Sequence, residues 1–320
     1  MRIFYLFTLI LGSSFAESSD AELLQEAQTI FSKLPTTLID QEKFRDQIAL
    51  GKKLYFEKRL SINNTISCNS CHKLDQFGVD NEPTSPGHNG QRGGRNSPTV
   101  YNSALNFKQF WDGRAKDLIE QAKGPILNPI EHGLPDEKTA MDKIKNDEYI
   151  KLFAKAFPND KNPFTYHNLA TAISSFEKTL LTPSRFDDYL GGDQTALTSQ
   201  EKSGLNKYLE YGCTSCHSGT GLGGSMYQKL GLLKKYPTKD LGRYEVTKKK
   251  RDMYKFKVPT LRNITKTGPY FHDGSIKTLE KAIEIMFEYQ LGQKASKEDL
   301  ADIKAFLASL EAKKLPAISN

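Results

Sequence analysis

Apolar residues recur every three to four positions over residues 20–33, 43–57, 114–123, 138–156, 165–181, 198–211, 277–290 and 296–312, the spacing that gives a helix one buried face. Thr165, Thr198 and Ser296 stand at the start of such runs, where a side-chain oxygen can accept from the unpaired N–H groups of a first turn. No stretch alternates β-branched and polar residues over the length of a strand, so the pattern predicts a mainly α protein without a substantial sheet. Gly- and Pro-rich segments at 78–98 and 219–225 lie between helical runs and are expected to form long irregular loops.

The first residues follow a different rule. Arg2 precedes an apolar run from Ile3 to Leu11, and Ser14-Phe15-Ala16 supplies small residues at the −3 and −1 positions, the pattern of a cleaved secretory signal over residues 1–16. That run is too short to span a bilayer, so no membrane span and a periplasmic location are expected. Removing it leaves about 300 residues, enough for two domains, and Thr182-Pro183-Ser184 is the expected boundary between residues 17–182 and 183–320. The formal net charge is +7, and +6 once Arg2 is removed. Lys248-Lys249-Lys250-Arg251 and Lys234-Lys235 read as solvated surface. In an exported protein they argue against a nucleic-acid partner, while a basic face can steer a charged redox partner.

Cysteine usage narrows the chemistry. All four cysteines fall in two copies of one motif, Cys68-Asn69-Ser70-Cys71-His72 and Cys213-Thr214-Ser215-Cys216-His217, the c-type haem attachment pattern. The spacing suits one porphyrin, because two thiols reach its two vinyl groups and the adjacent imidazole reaches the iron. Disulfides would not require His after each second Cys, a zinc site would need four ligands drawn from distant pairs, and a thioredoxin-like pair would not be expected twice in this form.

An internal repeat surrounds the motifs. Pro98-Thr99-Val100-Tyr101-Asn102 is echoed by Pro259-Thr260-Leu261-Arg262-Asn263, and Phe110-Trp111-Asp112-Gly113 by Phe271-His272-Asp273-Gly274, both at an offset of 161. The haem motifs are offset by 145, so the second half carries extra residues between its haem and its Pro-Thr loop. Two cytochrome c-like haem domains related by internal duplication account for this pattern.

The halves differ in what could serve as a sixth iron ligand. Met286 falls in the helical run after the second Asp-Gly motif, and the equivalent position in the first half is Pro125, which cannot bind iron. A haem that only passes electrons is best kept six-coordinate, and one that reacts needs a position that can open. The C-terminal haem is therefore expected to be a His217/Met286 electron carrier, with Met253 and Met226 as alternatives, and the N-terminal haem the site of chemistry. Beyond Pro125, Glu131 sits in a Pro-rich loop where an open face would need an acid/base group for peroxide. Trp111 occupies the repeat position of His272 and could either couple the two haems or serve as a core residue.

These stretches, with Leu54 to Leu60, Ile66-Ser67-Cys68, Arg95-Asn96-Ser97, Arg114 and Asn128-Pro129-Ile130-Glu131, resemble the bacterial dihaem cytochrome c peroxidases over essentially the whole mature chain. The resemblance implies reduction of hydrogen peroxide to water, with electrons from a small redox protein such as a monohaem cytochrome c or a cupredoxin, in a homodimer. It implies that His72 is the proximal ligand of the peroxidatic haem and His88 the distal ligand of its resting oxidised form, carried on a loop with Gly87, Gly90, Gly93 and Gly94. Gln121 and Glu131 become distal groups, Trp111 the residue between the haems, and His217 with Met286 the ligands of the electron-accepting haem. A Ca²⁺ site using Asn96, Thr267 and Pro269 is implied as well. Related dihaem enzymes that modify protein substrates replace the Met ligand with tyrosine, and Tyr289 keeps that alternative open beside a non-enzymatic electron carrier. The Met286 assignment predicts that Met286→His lowers the potential of the C-terminal haem; an unchanged potential, with Met253 substitution lowering it instead, would refute the assignment.

Overall fold

The computed structural model describes residues 19–317, and the expected signal at 1–16 lies outside the described residues. The helices are α1 (Asp20–Ile30), α2 (Arg45–Tyr55), α3 (Cys68–Cys71), α4 (Leu118–Leu127), α5 (Glu137–Ile144), α6 (Asp147–Ala156), α7 (Tyr166–Glu177), α8 (Arg185–Leu190), α9 (Ser199–Glu210), α10 (Tyr244–Thr247), α11 (Leu279–Ile285) and α12 (Lys297–Ala308). Among the described residues, the sheet is limited to β1 (Tyr227–Lys229) antiparallel to β2 (Lys255–Lys257). The protein is thus mainly α, with no described helix long and apolar enough to cross a membrane.

Local chemistry sets the helix ends. Thr165 accepts from Asn168 N–H, while Thr198 with Glu201 and Ser296 with Asp299 form reciprocal capping boxes. Two expected helices are modified. The run 138–156 breaks at Asn146, whose extended backbone and side-chain bond to Tyr149 N–H start α6, because a short amide competes well for a helix N-terminus. The run 277–290 changes after α11 into a π-helical segment, Met286–Leu291, which ends at Gly292 with φ 65°.

Two apolar cores organise these elements. One gathers Leu50, Leu54, Tyr55, Phe153, Leu169, Ile173 and Phe176 from α2, α6 and α7. The other gathers Phe186, Tyr208, Ile283, Phe287 and Phe306 from α8, α9 and the C-terminal helices. The chain ends cross between them: Leu23, Leu24, Ala27 and Phe31, in and just after α1, lie in the second core, while Leu315 packs on the first. In each half, one glycine lets two helices approach closely. A Cβ at Gly51 of α2 would fall 1.8 Å from the Ala172 carbonyl oxygen of α7, and one at Gly204 of α9 would fall 1.9 Å from that of Asp302 in α12.

Matching geometry recurs at the 161-residue offset. Asn102 and Asn263 have φ values of 60° and 62°, and Phe110 and Phe271 have values of 66° and 69°. The bridge Gln109–Ala115 is repeated as Tyr270–Ile276. Thr182 and Ser184, in the segment expected to divide the halves, are fully buried. The Thr182 hydroxyl accepts from the amides of both Asn102 (2.6 Å) and Asn263 (2.9 Å).

Beside this node, Arg262 donates two bonds of 2.8 Å to Asp187, both side chains being almost wholly buried. Burial pushes the Asp187 carboxyl up, but the Arg262 guanidinium and the Leu34 and Ser184 N–H groups outweigh it and hold the group below the usual carboxylate range. Its stabilising contribution is therefore present above the unfolded carboxylate pKa and is lost as pH falls through the folded one. Arg262→Met should cost about 3–5 kcal/mol in denaturant unfolding at neutral pH by stranding a buried charge, and adding Asp187→Leu should recover much of it; a single variant as stable as the parent would contradict this account.

Candidate haem centres

The first attachment motif begins on α3, where Ser67 and Ser70 cap each other reciprocally and turn Cys68 and Cys71 into one cavity. The following His72 is held from two sides. Tyr55 of α2 donates to its carbonyl oxygen at 2.7 Å, and its ring Nδ1 lies 3.0 Å from the Pro98 carbonyl oxygen of the repeated loop. The second motif is built the same way. Tyr208 of α9 donates to the His217 carbonyl oxygen at 3.0 Å, and His217 Nδ1 lies 3.2 Å from the Leu222 carbonyl oxygen. A carbonyl facing Nδ1 places the ring proton there and leaves Nε2 as a lone-pair donor, the form a metal needs. Burial lowers the pKa of both imidazoles, His217 to about 4, so both are neutral.

The four thiols are unpaired. Burial pushes Cys71 and Cys213 up to about 11 and Cys68 higher still, unlike the lowered values of redox-active C-x-x-C pairs. Protonated thiols beside neutral imidazoles fit covalent haem attachment at both motifs. When bound, haem supplies an iron that can exchange electrons and accept a peroxide oxygen.

The cavity at the first motif is also lined by Gln121 of α4, Glu131, His132 and Glu177 of α7. The expected Gln121, Glu131 and His72 therefore converge. Pro125 stands in the last turn of α4, its carbonyl accepting from the Asn128 and His132 N–H groups, so the chain turns there and carries Glu131 back to the cavity. Burial raises the Glu131 pKa, opposed by Arg114 and by the Asn128 amide, which donates to the carboxyl at 2.8 Å. His132 is fixed differently, with Nδ1 2.8 Å from the Leu60 carbonyl oxygen.

The expected distal ligand His88 lies beside this cavity. Its N–H donates to the Glu131 carbonyl oxygen, Nε2 lies 3.2 Å from the Pro129 carbonyl oxygen, and Nδ1 is buried without a partner. Pro86, Gly87 and Gly93 of the same loop line the cavity. The loop's glycines differ in role: a Cβ at Gly87 would fall 1.6 Å from the Ile130 carbonyl oxygen, whereas one at Gly90, Gly93 or Gly94 would meet nothing within 4 Å.

Trp111 ties the halves together. Its Nε1 donates to the Asn96 carbonyl oxygen at 2.9 Å, and its own carbonyl accepts from Lys257 N–H at 2.7 Å. Asn96 N–H in turn donates to the His272 carbonyl oxygen, and the Asn96 side-chain Nδ2 donates to the Glu82 carbonyl oxygen, leaving Oδ1 as the available acceptor. Thr267 and Pro269 flank a cis Gly268–Pro269 bond. Met286 opens the π-helical segment, and the adjacent Phe287 packs its ring 4.7 Å from that of Tyr211, just before Cys213.

Sequence reasoning missed two features. Arg95 binds Asp112 in its own half and Asp240 and Glu245 in the other, a contact whose partners no local pattern joins. Glu177 was legible in principle, as a lone carboxyl on the apolar face of α7 one turn after Ile173.

Two buried thiol pairs, each followed by a neutral imidazole tethered through Nδ1 in a helical half, define a dihaem c-type cytochrome. More particularly, the chain belongs to the di-haem cytochrome c peroxidase family, whose profile matches residues 45–195. It is 45% identical to cytochrome c551 peroxidase of Pseudomonas aeruginosa, the match covering 91% of this chain and 87% of that one. It is also 45% identical to cytochrome c551 peroxidase of Nitrosomonas europaea, over 95% and 90%. Among solved structures, a MauG-like protein associated with microbial copper homeostasis superposes with a TM-score of 0.78 at 29% identity, over 88% of this chain and 94% of that one.

The tight seat of Gly87 generates a prediction. Gly87→Ala should destabilise the protein by about 1–3 kcal/mol through overpacking against Ile130, and unchanged thermal unfolding would mean that the His88 loop is not docked there.

Proposed function

We propose that the protein is a periplasmic peroxidase that reduces hydrogen peroxide to water with electrons from a small redox protein, either a monohaem cytochrome c or a cupredoxin. The observation that carries this reading is the convergence of Glu131 and Gln121 on the cavity that contains Cys68, Cys71 and His72. A non-enzymatic electron carrier has no use for an acid/base group there.

In this reading, residues 17–182 form the peroxidatic domain and residues 183–320 the electron-accepting domain, descended from one duplicated unit, and two such chains pair as a homodimer. The recurring positive-φ residues and bridges at one offset support the duplication. His217 and Met286 hold the electron-accepting haem, while His72 holds the peroxidatic one. His88 is its resting sixth ligand, and the unpartnered Nδ1 and open glycines beyond Gly87 support its release. Trp111 lies between the haems. Asn96 Oδ1, with the carbonyls of Thr267 and Pro269, holds Ca²⁺. Tyr289, the residue that a protein-modifying enzyme would employ, packs on Tyr236 with Lys234 over its ring.

Glu131 takes the proton from one peroxide oxygen and returns it to the other, so that water rather than hydroxide departs. Its raised pKa suits a group that must both accept and release a proton near neutrality. Gln121 orients the peroxide from α4, and the closed walls of the cavity exclude bulk water. Glu131→Gln keeps size and polarity but cannot exchange the proton, so peroxide turnover with reduced cytochrome c, assayed after pre-reduction with calcium present, should fall about 10²- to 10⁴-fold while both haems still accept electrons. Parental turnover in this variant would remove Glu131 from the role, and a parent protein inactive under the same conditions would leave the electron-carrier reading.

A further inference from the structure

The last turn of α7 enters the N-terminal cavity, which Ile173 and Glu177 both line. Glu177 is 5% exposed, and its Oε2 is buried with no hydrogen-bond partner. Burial alone acts on its charge and pushes the carboxyl up to about 8. Glu131 differs, having Asn128 and Arg114 to support its ionised form.

The titratable groups that sense Glu177 are Tyr55 of α2 and Cys68 of α3. Burial keeps both neutral, and haem attachment would consume the thiol. From α4 the cavity receives the uncharged Gln121, and Glu131 and His132 complete its titratable lining with the neutral His72. An ionised Glu177 therefore lacks a counter-charge from the protein. The iron–porphyrin core of a ferric haem carries one net positive charge and would supply it, whereas the ferrous core is neutral. An opposite charge nearby favours the carboxylate, and its loss favours the acid.

We infer that Glu177 takes up a proton when the N-terminal haem takes up an electron, and returns that proton to the cavity when peroxide reoxidises the haem. The inference rests on the reading of this cavity as a haem site. The electron arrives from the C-terminal haem and the proton from solvent. Ferric iron becomes ferrous while the carboxylate becomes a carboxylic acid, so the charge within the cavity does not change. Reoxidation reverses both changes. Each peroxide needs two electrons and two protons to become two waters, and the proton released by Glu177 is one of those two. Glu131 moves a proton between the peroxide oxygens, whereas Glu177 brings one in, so the two carboxyls divide the work.

The test is a potentiometric titration of the N-terminal haem in the dihaem holoprotein, repeated across neutral pH. The reduction equilibrium should become less favourable by up to about tenfold per pH unit where electron and proton uptake are coupled one to one. In Glu177→Gln the potential should be independent of pH and higher than the parent's on the alkaline side, while Glu131→Gln should keep the parental slope. Infrared difference spectra of the unmodified holoprotein, reduced minus oxidised, should gain a protonated-carboxyl band that shifts in D₂O and is absent from Glu177→Gln. A parent with no such gain, a Glu177→Gln protein with the parental pH dependence, or loss of that dependence in Glu131→Gln instead would each overturn the inference. Peroxide turnover with a pH-independent potential would overturn it while leaving the proposed enzyme intact, and failure of haem to attach at Cys68 and Cys71 would overturn both.

Discussion

The relation between the two halves depends on one buried hydroxyl. Thr182 accepts from Asn102 and Asn263, the equivalent asparagines of the repeated loops, and its own N–H donates to Asn102 Oδ1 at 3.0 Å. Buried amides left unpaired would each cost about 1–3 kcal/mol, so neither loop can slide without stranding polar groups at the centre of the molecule. Both loops are also the ones that reach the haem motifs: Pro98 faces the His72 ring, and Thr260 donates to the Gly221 carbonyl beside Leu222, whose carbonyl faces His217. The distance between the two imidazoles is thereby tied to three side chains within hydrogen-bond reach of one another.

Around this node the halves share their proximal architecture and differ on the opposite side. Each uses a tyrosine on the preceding helix to hold the histidine carbonyl and a backbone carbonyl to orient its ring. Where the first half places Pro125, a residue without an N–H, the helix ends and the chain returns with Glu131. Where the second places Met286, the helix continues as a π-helical segment, a form that occurs mostly at functional positions. A small change in backbone chemistry at one repeat position thus gives one half an acid/base group and the other a thioether, the distinction on which the proposed division between chemistry and electron entry rests.

The attachment motifs, the repeat and most helices were legible in the sequence because they are local: fixed spacing, helical periodicity, and capping side chains a few residues from the groups they satisfy. Gln121, Glu131 and His72 could be proposed as neighbours only through the family resemblance, since 59 residues separate His72 from Glu131. What stayed hidden depends on long-range packing. Thr182 resembled a linker residue because a polar residue before proline is common in loops, and nothing nearby reveals that two distant asparagines meet on it. The membership of α1 in the second core was equally hidden, because an amphipathic helix shows which face it buries and not against what. Glu177 sits on such a buried face, and its lack of a partner became visible only when its surroundings were known.

The exchange of chain ends between the cores bears on biogenesis. A chain exported from its N-terminus delivers α1 first, yet the surface that α1 covers is made by α8, α9 and α12, which are delivered last. Until then Leu23, Leu24, Ala27 and Phe31 have no apolar surface of their own half to rest on, and the second core remains open along the line where α1 will lie. That interval leaves the second attachment motif accessible to the machinery that joins porphyrin to thiol. Docking of α1 would then close the molecule as a final step, so a chain truncated ahead of α2 should emerge with a looser C-terminal half although every residue of that half is present.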